Sequence, residues 1–294
     1  MLKGIHFFLT DHYYHTISRR LDEIQDTILR SIPGENGIST EFTSVKDSEI
    51  PALSKARDKD RILLITDSSR ILNNLLKQGY YTIALYHEGN HSEDFSGTPY
   101  AVEDLFSMTF DSYQKAYERL AGLPWQILTT ARLSLRESTV ADVDDFYRVY
   151  RDPSITKYME NLFPDRDEER SYMKDYIEKI YGFYGFGMWT ILHTASGQVI
   201  GRAGLSVREG YELPELGFVI DVSFQHQGYA FEICRAILQY ARDELEFQEV
   251  QAFCRMENIS SVHLLQKLGF AYAGEDLLNG IPHARYIVTL SETC

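Results

Sequence analysis

Ile17, Leu21, Ile24 and Ile28 recur at helical spacing between residues 15 and 29, with Arg, Asp and Glu between them. That period predicts an amphipathic helix. Pro33-Gly34 stops it, and the stretch from 34 to 44 is polar and turn-rich. The period then shortens. RILLIT at 61–66 reads as a short buried strand, and Asp67-Ser68-Ser69 offers N-cap chemistry for a helix to Gln78, closed by Gly79. YTIALY at 81–86 predicts a second strand, 100–102 a third, and 112–120 another helix. Strands and helices alternating in this way are the pattern of a parallel, Rossmann-like sheet.

Leu123-Pro124-Trp125 marks a boundary, and the pattern changes after it. Residues 133–135 predict a strand, and 140–150 and 168–181 predict amphipathic helices. Strands at 188–193 and 199–205 are joined by the turn Ala195-Ser196-Gly197-Gln198. A strand over 213–220 leads to a helix from near Gly228 to about Leu245. A strand at 250–255, a helix from Asn258 to Gly269 and a strand at 284–290 complete the chain. The expected class is α/β (α+β): a smaller Rossmann-like module over 1–128 and a mixed domain over 129–294.

The length, 294 residues with 44% hydrophobic and 24% charged, suits two ordinary domains. The formal net charge is −14, and both halves are acidic. Nucleic-acid binding needs clustered cations, as does docking on anionic lipid, so neither partner is expected. No apolar run approaches the length that spans a bilayer. The first fifteen residues carry too short an apolar stretch for a signal peptide. Cys234, Cys254 and Cys294 have no metal-ligand spacing and no disulfide framework, so no metal is expected and the setting reads as cytoplasmic.

Chemistry concentrates in two segments. ELGFVIDVSFQHQGYA, from Glu215 to Ala230, runs from a strand through a polar loop to a glycine at the mouth of a helix. Such a helix start presents unpaired N–H groups and a positive dipole end to an anion. Asn258-Ile259-Ser260-Ser261 opens the next helix after a strand, and Lys267-Leu268-Gly269-Phe270 closes it. Together these resemble the GCN5-related N-acetyltransferase (GNAT) family over about 131–290. Gln225-His226-Gln227-Gly228-Tyr229-Ala230 matches its Gln/Arg-x-x-Gly-x-Gly/Ala acetyl-CoA loop, and the Asn258 segment matches its second motif. The ribosomal-protein N-acetyltransferase branch is the nearest in pattern.

The resemblance implies acetyl-CoA as cosubstrate and a mixed sheet whose strands splay to admit it. Val219 and Ile220 would bond the pantetheine through their backbone, the amides of 226–230 would hold the pyrophosphate, and Asn258 would contact the cofactor near its pantetheine. His226 replaces a glycine found in many members; its imidazole either meets phosphate or points to solvent. Acetyl transfer needs a neutral amine, hence a base or water chain, and a donor for the thioester oxygen. Glu215 stands where many relatives carry the base; a solvated strand carboxylate is the alternative. The family's acidic Tyr falls at Leu265, so Ser261 is the substitute, or only a backbone or cofactor contact.

An aromatic, acidic mouth built from Tyr158, Glu160, Phe163, Tyr184 and Trp189 would receive a primary amine, either a small molecule or a peptide N-terminus. Packing is the plainer role for these rings. The expected reaction is direct attack in a ternary complex; an acyl-CoA-binding sensor without turnover is the alternative. In the first half, Asp67 ends a strand where parallel sheets place ligands and faintly resembles the haloacid-dehalogenase-like phosphatases, but their Asp-x-Asp pair is absent. This half is expected to be noncatalytic, serving substrate presentation, ligand sensing, homodimer formation or structure alone.

Overall fold

The computed structural model describes residues 2–32, 37–46 and 59–290. The chain folds as two compact units, 1–125 and 126–294. The first holds β1 (Gly4–Thr10), α1 (Asp11–Ile17), α2 (Leu21–Arg30), β2 (Ser39–Val45), β3 (Ile62–Thr66), α3 (Ser69–Lys77), β4 (Tyr81–Leu85), β5 (Ala101–Val102) and α4 (Phe110–Leu120). Its five strands are all parallel, in the order β2-β1-β3-β4-β5. From β1 the chain crosses to β2 on one side and then returns to β3 on the other, so the winding reverses between β1 and β3. Phe7, Leu63, Ile65 and Ile83 fill one face of the sheet with Ile24, Ile28 and Tyr113 from the helices.

Two of these strands depart from the sequence reading. β1 occupies what reads as a lead-in: GIHFFLT is an almost continuous apolar run, buried on both faces, with no alternation to mark it. β2 lies in the segment read as polar turn. It is an edge strand whose register follows β1, and its Thr, Phe and Val suit a pleated surface. The helix expected over 15–29 is two helices, separated by a 3₁₀ turn at Ser18–Arg20. The Pro33-Gly34 stop lies outside the described residues.

The second unit holds β6 (Gln126–Thr129), β7 (Leu133–Arg136), α5 (Val143–Val149), α6 (Arg166–Tyr176), α7 (Gly182–Tyr184), β8 (Met188–His193), β9 (Val199–Ser206), β10 (Glu215–Ile220), α8 (Tyr229–Asp243), β11 (Glu249–Cys254), α9 (Ile259–Lys267), β12 (Ala271–Leu278) and β13 (Ile281–Thr289). They form one mixed sheet in the order β12-β13-β11-β10-β9-β8-β7-β6. Only β10 and β11 run parallel; the other neighbours are antiparallel. β6 spans the boundary expected at 128/129, and β12 is a further strand that the sequence reading left unassigned. A π-helical turn, Ile177–Tyr181, extends α6. The main core lies between the sheet and α8, where Trp189, Ile233, Ile237 and Val250 are buried. α5 and α6 cover the opposite face through Val143, Phe146 and Met173. Among the described residues no helix is long and apolar enough to cross a membrane.

Candidate functional site

β10 is the centre of the site. Alternation sends Leu216, Phe218 and Ile220 into the core under α8. Val219 turns the other way and packs on Val149, Tyr150 and Ile155, and Glu215 and Gly217 share its face. β10 pairs with β9 along its whole length, from Glu215↔Ser206 to Ile220↔Gly201. On its other edge it meets β11 at a single position, Glu215↔Gln251, because β11 turns away to follow β13. From Leu216 onward the two parallel strands splay, and backbone polar groups of β10 border a V-shaped opening. Such groups need partners, and an extended amide chain can supply them.

The wide end of the V leads to the start of α8. Asp221 shapes the turn: its carboxylate accepts from the Ser223 amide at 2.9 Å and from Arg148 at 2.6 Å. Gln225 donates through Nε2 to the Ile220 carbonyl at 2.9 Å, and Gln227 to the Ser223 carbonyl at 2.9 Å. These two side chains brace the loop and leave its backbone to face outward. His226 has φ 59° and Gly228 φ 84°. The exposed His226 occupies a left-handed position, where histidine is tolerated better than most residues. The first helical bond runs from the Glu232 amide to the Gly228 carbonyl at 3.0 Å. The amides of Tyr229, Ala230 and Phe231 therefore have no acceptor within the helix.

Arg132 stands beside this mouth, and nothing in the sequence pattern pointed to it. It donates to Glu232 at 2.7 Å and to the Gln227 carbonyl at 3.1 Å, and its guanidinium lies 4.1 Å over the Tyr229 ring. Burial pushes the Glu232 carboxyl up, but bonds from Thr130 and Arg132 outweigh it and hold the group below the usual carboxylate range. Helix dipole, free amides and this cation all favour an anion at the mouth.

On the facing helix, Asn258 caps α9 by accepting from the Ser261 amide at 3.3 Å. Ser261 is half-buried in the first turn. Leu265 is buried in the core, so the position of the family's acidic tyrosine does packing work.

The narrow end of the V is polar. Glu215 is bound through both oxygens by Arg208: Nη2 lies 3.0 Å from Oε1, and Nε donates to Oε2. The Glu215 carboxylate in turn holds the Arg208 guanidinium above its ordinary range. Arg208 is a second residue that spacing alone did not single out. Glu160 accepts from Asn279 at 3.1 Å, tying the segment after α5 to the β12–β13 turn. Tyr158 lies under Lys157, at 4.8 Å. Phe163 is exposed and meets Tyr172 at 5.7 Å.

Two expected acceptor residues lie elsewhere. Trp189 is 0% exposed and packs edge-on to Tyr240 of α8 at 5.7 Å, so it is a core residue on the far face of the sheet. Tyr184 belongs to a separate aromatic group with Phe183 and Phe186. Among the described residues no group of three or more His, Cys, Asp or Glu is placed to hold a metal ion.

Residues 132–271 match the acetyltransferase (GNAT) domain family. An uncharacterized N-acetyltransferase of Bacillus subtilis (strain 168), YnaD, is 30% identical over 148 residues, which are 50% of this chain and 84% of that protein. The uncharacterized N-acetyltransferase p20 of Bacillus licheniformis is 28% identical over 153 residues, 51% of this chain and 84% of its own. RimL, a ribosomal L7/L12 alpha-N-protein acetyltransferase, superposes with a TM-score of 0.50 at 16% identity, over 57% of this chain and 95% of its own, a likeness of fold alone. The match runs from Arg132 beside the helix mouth to the first residue of β12, and through it the chain belongs to the GNAT family, the acetyl-CoA-dependent N-acetyltransferases.

Proposed function

We propose that the second unit transfers acetyl directly from acetyl-CoA to a primary amine within a ternary complex, in a cytoplasmic setting. The observation that carries this reading is the V between β10 and β11, which opens toward the unpaired amides at the start of α8. In it, the backbone of Val219 and Ile220 holds the pantetheine arm and the amides of 226–230 hold the pyrophosphate, with Arg132 as an added cation. Asn258 supports the arm from α9. Glu215, with Arg208 fixed on it, takes the amine proton through a water, and Ser261 faces the departing thiolate.

The cysteines support direct attack. Burial pushes the Cys254 thiol up to about 11, and the fully buried Cys234 higher still. A nucleophilic cysteine needs the opposite shift. The test is kinetic. Release of free CoA thiol should depend on the amine, initial-rate plots should intersect, and acetyl-labelled cofactor alone should leave no label on the protein. Parallel lines with a labelled protein would replace direct attack by an acyl-enzyme; binding without release across a broad amine panel would make the chain a sensor.

The first unit is proposed to be noncatalytic. Asp67, which faintly resembles catalytic machinery, is buried and already bonded by Thr10 and His87.

A further inference from the structure

Three arginines of the second unit, the exposed Arg132 and the half-buried Arg136 and Arg148, each hold a carboxylate: Arg132–Glu232 at 2.7 Å, Arg136–Asp142 at 2.6 Å and Arg148–Asp221 at 2.6 Å. Arg208 holds Glu215. Arg202 on β9 does not follow this pattern. It is 8% exposed, deeper than any of these four, yet no carboxylate of the described residues lies within ion-pair reach. Its guanidinium rests 4.6 Å over the Phe146 ring and is hydrogen-bonded to the Tyr150 hydroxyl, with Tyr176 and Tyr181 nearby, but its Nε has no hydrogen-bond partner. The nearby buried carboxylate, Glu169, accepts from the Phe163 amide at 3.0 Å. A cation taken from water without an anion is costly, and aromatic faces return only part of that cost. In a chain with a net charge of −14, an anion partner for this position would have been easy to supply from within.

Its place on the sheet says what it faces. Arg202 pairs with Val219, Gly204 with Gly217, and Ser206 with Glu215, and directly paired residues share a face. Between Arg202 and Glu215 this face carries Gly204 and Gly217, bordered by Met188 and the Gly187 carbonyl: a Cβ built on Gly217 would lie 3.2 Å from the Met188 sulfur, and one on Gly204 would meet the Gly187 carbonyl. The face is the one covered by α5 and α6, and it adjoins the V where the acyl group would lie. A file of aromatic rings leads inward from the surface. Phe163 and Tyr172, 39% and 45% exposed, are 5.7 Å apart. Tyr172 meets Tyr176 at 6.0 Å, and Tyr176 meets the buried Tyr181 at 5.3 Å. The Tyr176 and Tyr181 hydroxyls are fixed on the backbone of Met188 at 2.8 and 2.5 Å, which holds this wall in place.

We infer that Arg202 anchors an anionic group of the acceptor, and hence that the acceptor is a small amine bearing a carboxylate, of the amino-acid class. The inference rests on the acetyl-transfer reading above. The aromatic file admits the molecule, the guanidinium receives its carboxylate in a low-dielectric site, and the amine is left over the glycine strip beside the V.

The test uses the full chain and pairs of acceptors that differ by one group: amino acids and the amines left when their carboxylate is removed. Release of CoA thiol should show kcat/KM at least about tenfold higher for the carboxylate-bearing member of a pair. In Arg202→Gln that preference should vanish through a rise in acceptor KM, with acetyl-CoA affinity unchanged by calorimetry; Arg202→Lys should restore part of it. The pair comparison is read on the unmodified protein, so it stands even if a variant fails to fold. Turnover with equal or better use of the decarboxylated amines, or turnover confined to peptide N-termini, overturns this inference alone. Binding of acetyl-CoA with no turnover on any amine overturns the acetyl-transfer reading and this inference with it.

Discussion

Both oxygens of Glu215 are held by one guanidinium, which fixes the carboxylate's direction before any amine arrives. A carboxylate has about four lone-pair sites, so two remain for a water or an amine. Glu215→Gln keeps the shape and removes the acceptor of a proton. If Glu215 accepts that proton, kcat at neutral pH should fall by roughly 10²–10⁴-fold with acetyl-CoA affinity preserved. The loss should shrink as pH rises and the amine sheds its proton unaided. If Glu215 serves only to hold Arg208, the loss should be the same at every pH and Arg208→Ala should reproduce it. The motif residues themselves were legible because they are close in sequence: Gln225, Gly228 and Ala230 lie within one loop and helix start. Arg132, Arg202 and Arg208 were not. Arg132 reaches Glu232 across a hundred residues, and the place of Arg202 is set by which strands pair.

Elements followed the same division between local and distant causes. β8, the turn after it and α8 carry their own signals, an apolar run, a glycine-bearing turn and an apolar helical face, and stand close to where the pattern predicts them. β2 and β12 are edge strands with exposed, polar positions, so burial leaves little trace in their sequence. The one local signal for β12 is Asn279-Gly280, whose φ values of 51° and 76° make the tight turn into β13. The splay has no signal of its own; it arises because β11 follows β13 rather than β10. What the sequence does mark is the point where the V meets α8. Gly228 has φ 84°, and a Cβ there would lie 3.6 Å from the Arg132 guanidinium. Gly228→Glu places a carboxylate beside that cation and across the amides of 229–231. Calorimetry should show acetyl-CoA affinity falling by more than tenfold, about 1.4 kcal/mol. Gly228→Ala carries the backbone strain without the charge and should lose less. Equal losses would assign the effect to strain, and unchanged affinity in a folded Gly228→Glu would move the pyrophosphate elsewhere.

At the scale of the whole chain, every element assigned to acetyl transfer belongs to the second unit, and the first has its own core and its own sheet. A parallel sheet whose winding reverses between β1 and β3 places loops for a ligand at that point. Thr10 and Asp67 stand there, and Asp67 is the residue whose place faintly resembles phosphoryl-transfer machinery. Its environment argues against that chemistry. Asp67 is 1% exposed. One oxygen accepts from the Thr10 amide at 2.8 Å; the other accepts from the Thr10 hydroxyl at 2.6 Å and faces His87 Nε2 at 3.2 Å. The Gly89 amide donates to His87 Nδ1 at 3.1 Å, which leaves the ring proton on Nε2, directed at Asp67. Tyr13 stacks on the imidazole at 4.0 Å, and Asn90 binds the Asp67 carbonyl at 2.9 Å. A phosphate nucleophile must present a free lone pair to phosphorus, and a magnesium ligand must face the ion; this carboxylate instead joins the ends of β1, β3 and β4. Mg²⁺-dependent hydrolysis of a generic aryl phosphate by the full chain should therefore equal the buffer rate. Asp67→Asn puts an amide donor where Thr10 and His87 both donate, and should cost about 1–3 kcal/mol of stability in thermal or denaturant unfolding. Its acetyl-CoA affinity should stay within a few-fold of the parent. Hydrolysis that requires Mg²⁺ and disappears in Asp67→Asn would make the first unit an enzyme; a destabilised variant with an intact cofactor site, and no hydrolysis before or after, makes Asp67 the clasp of its sheet.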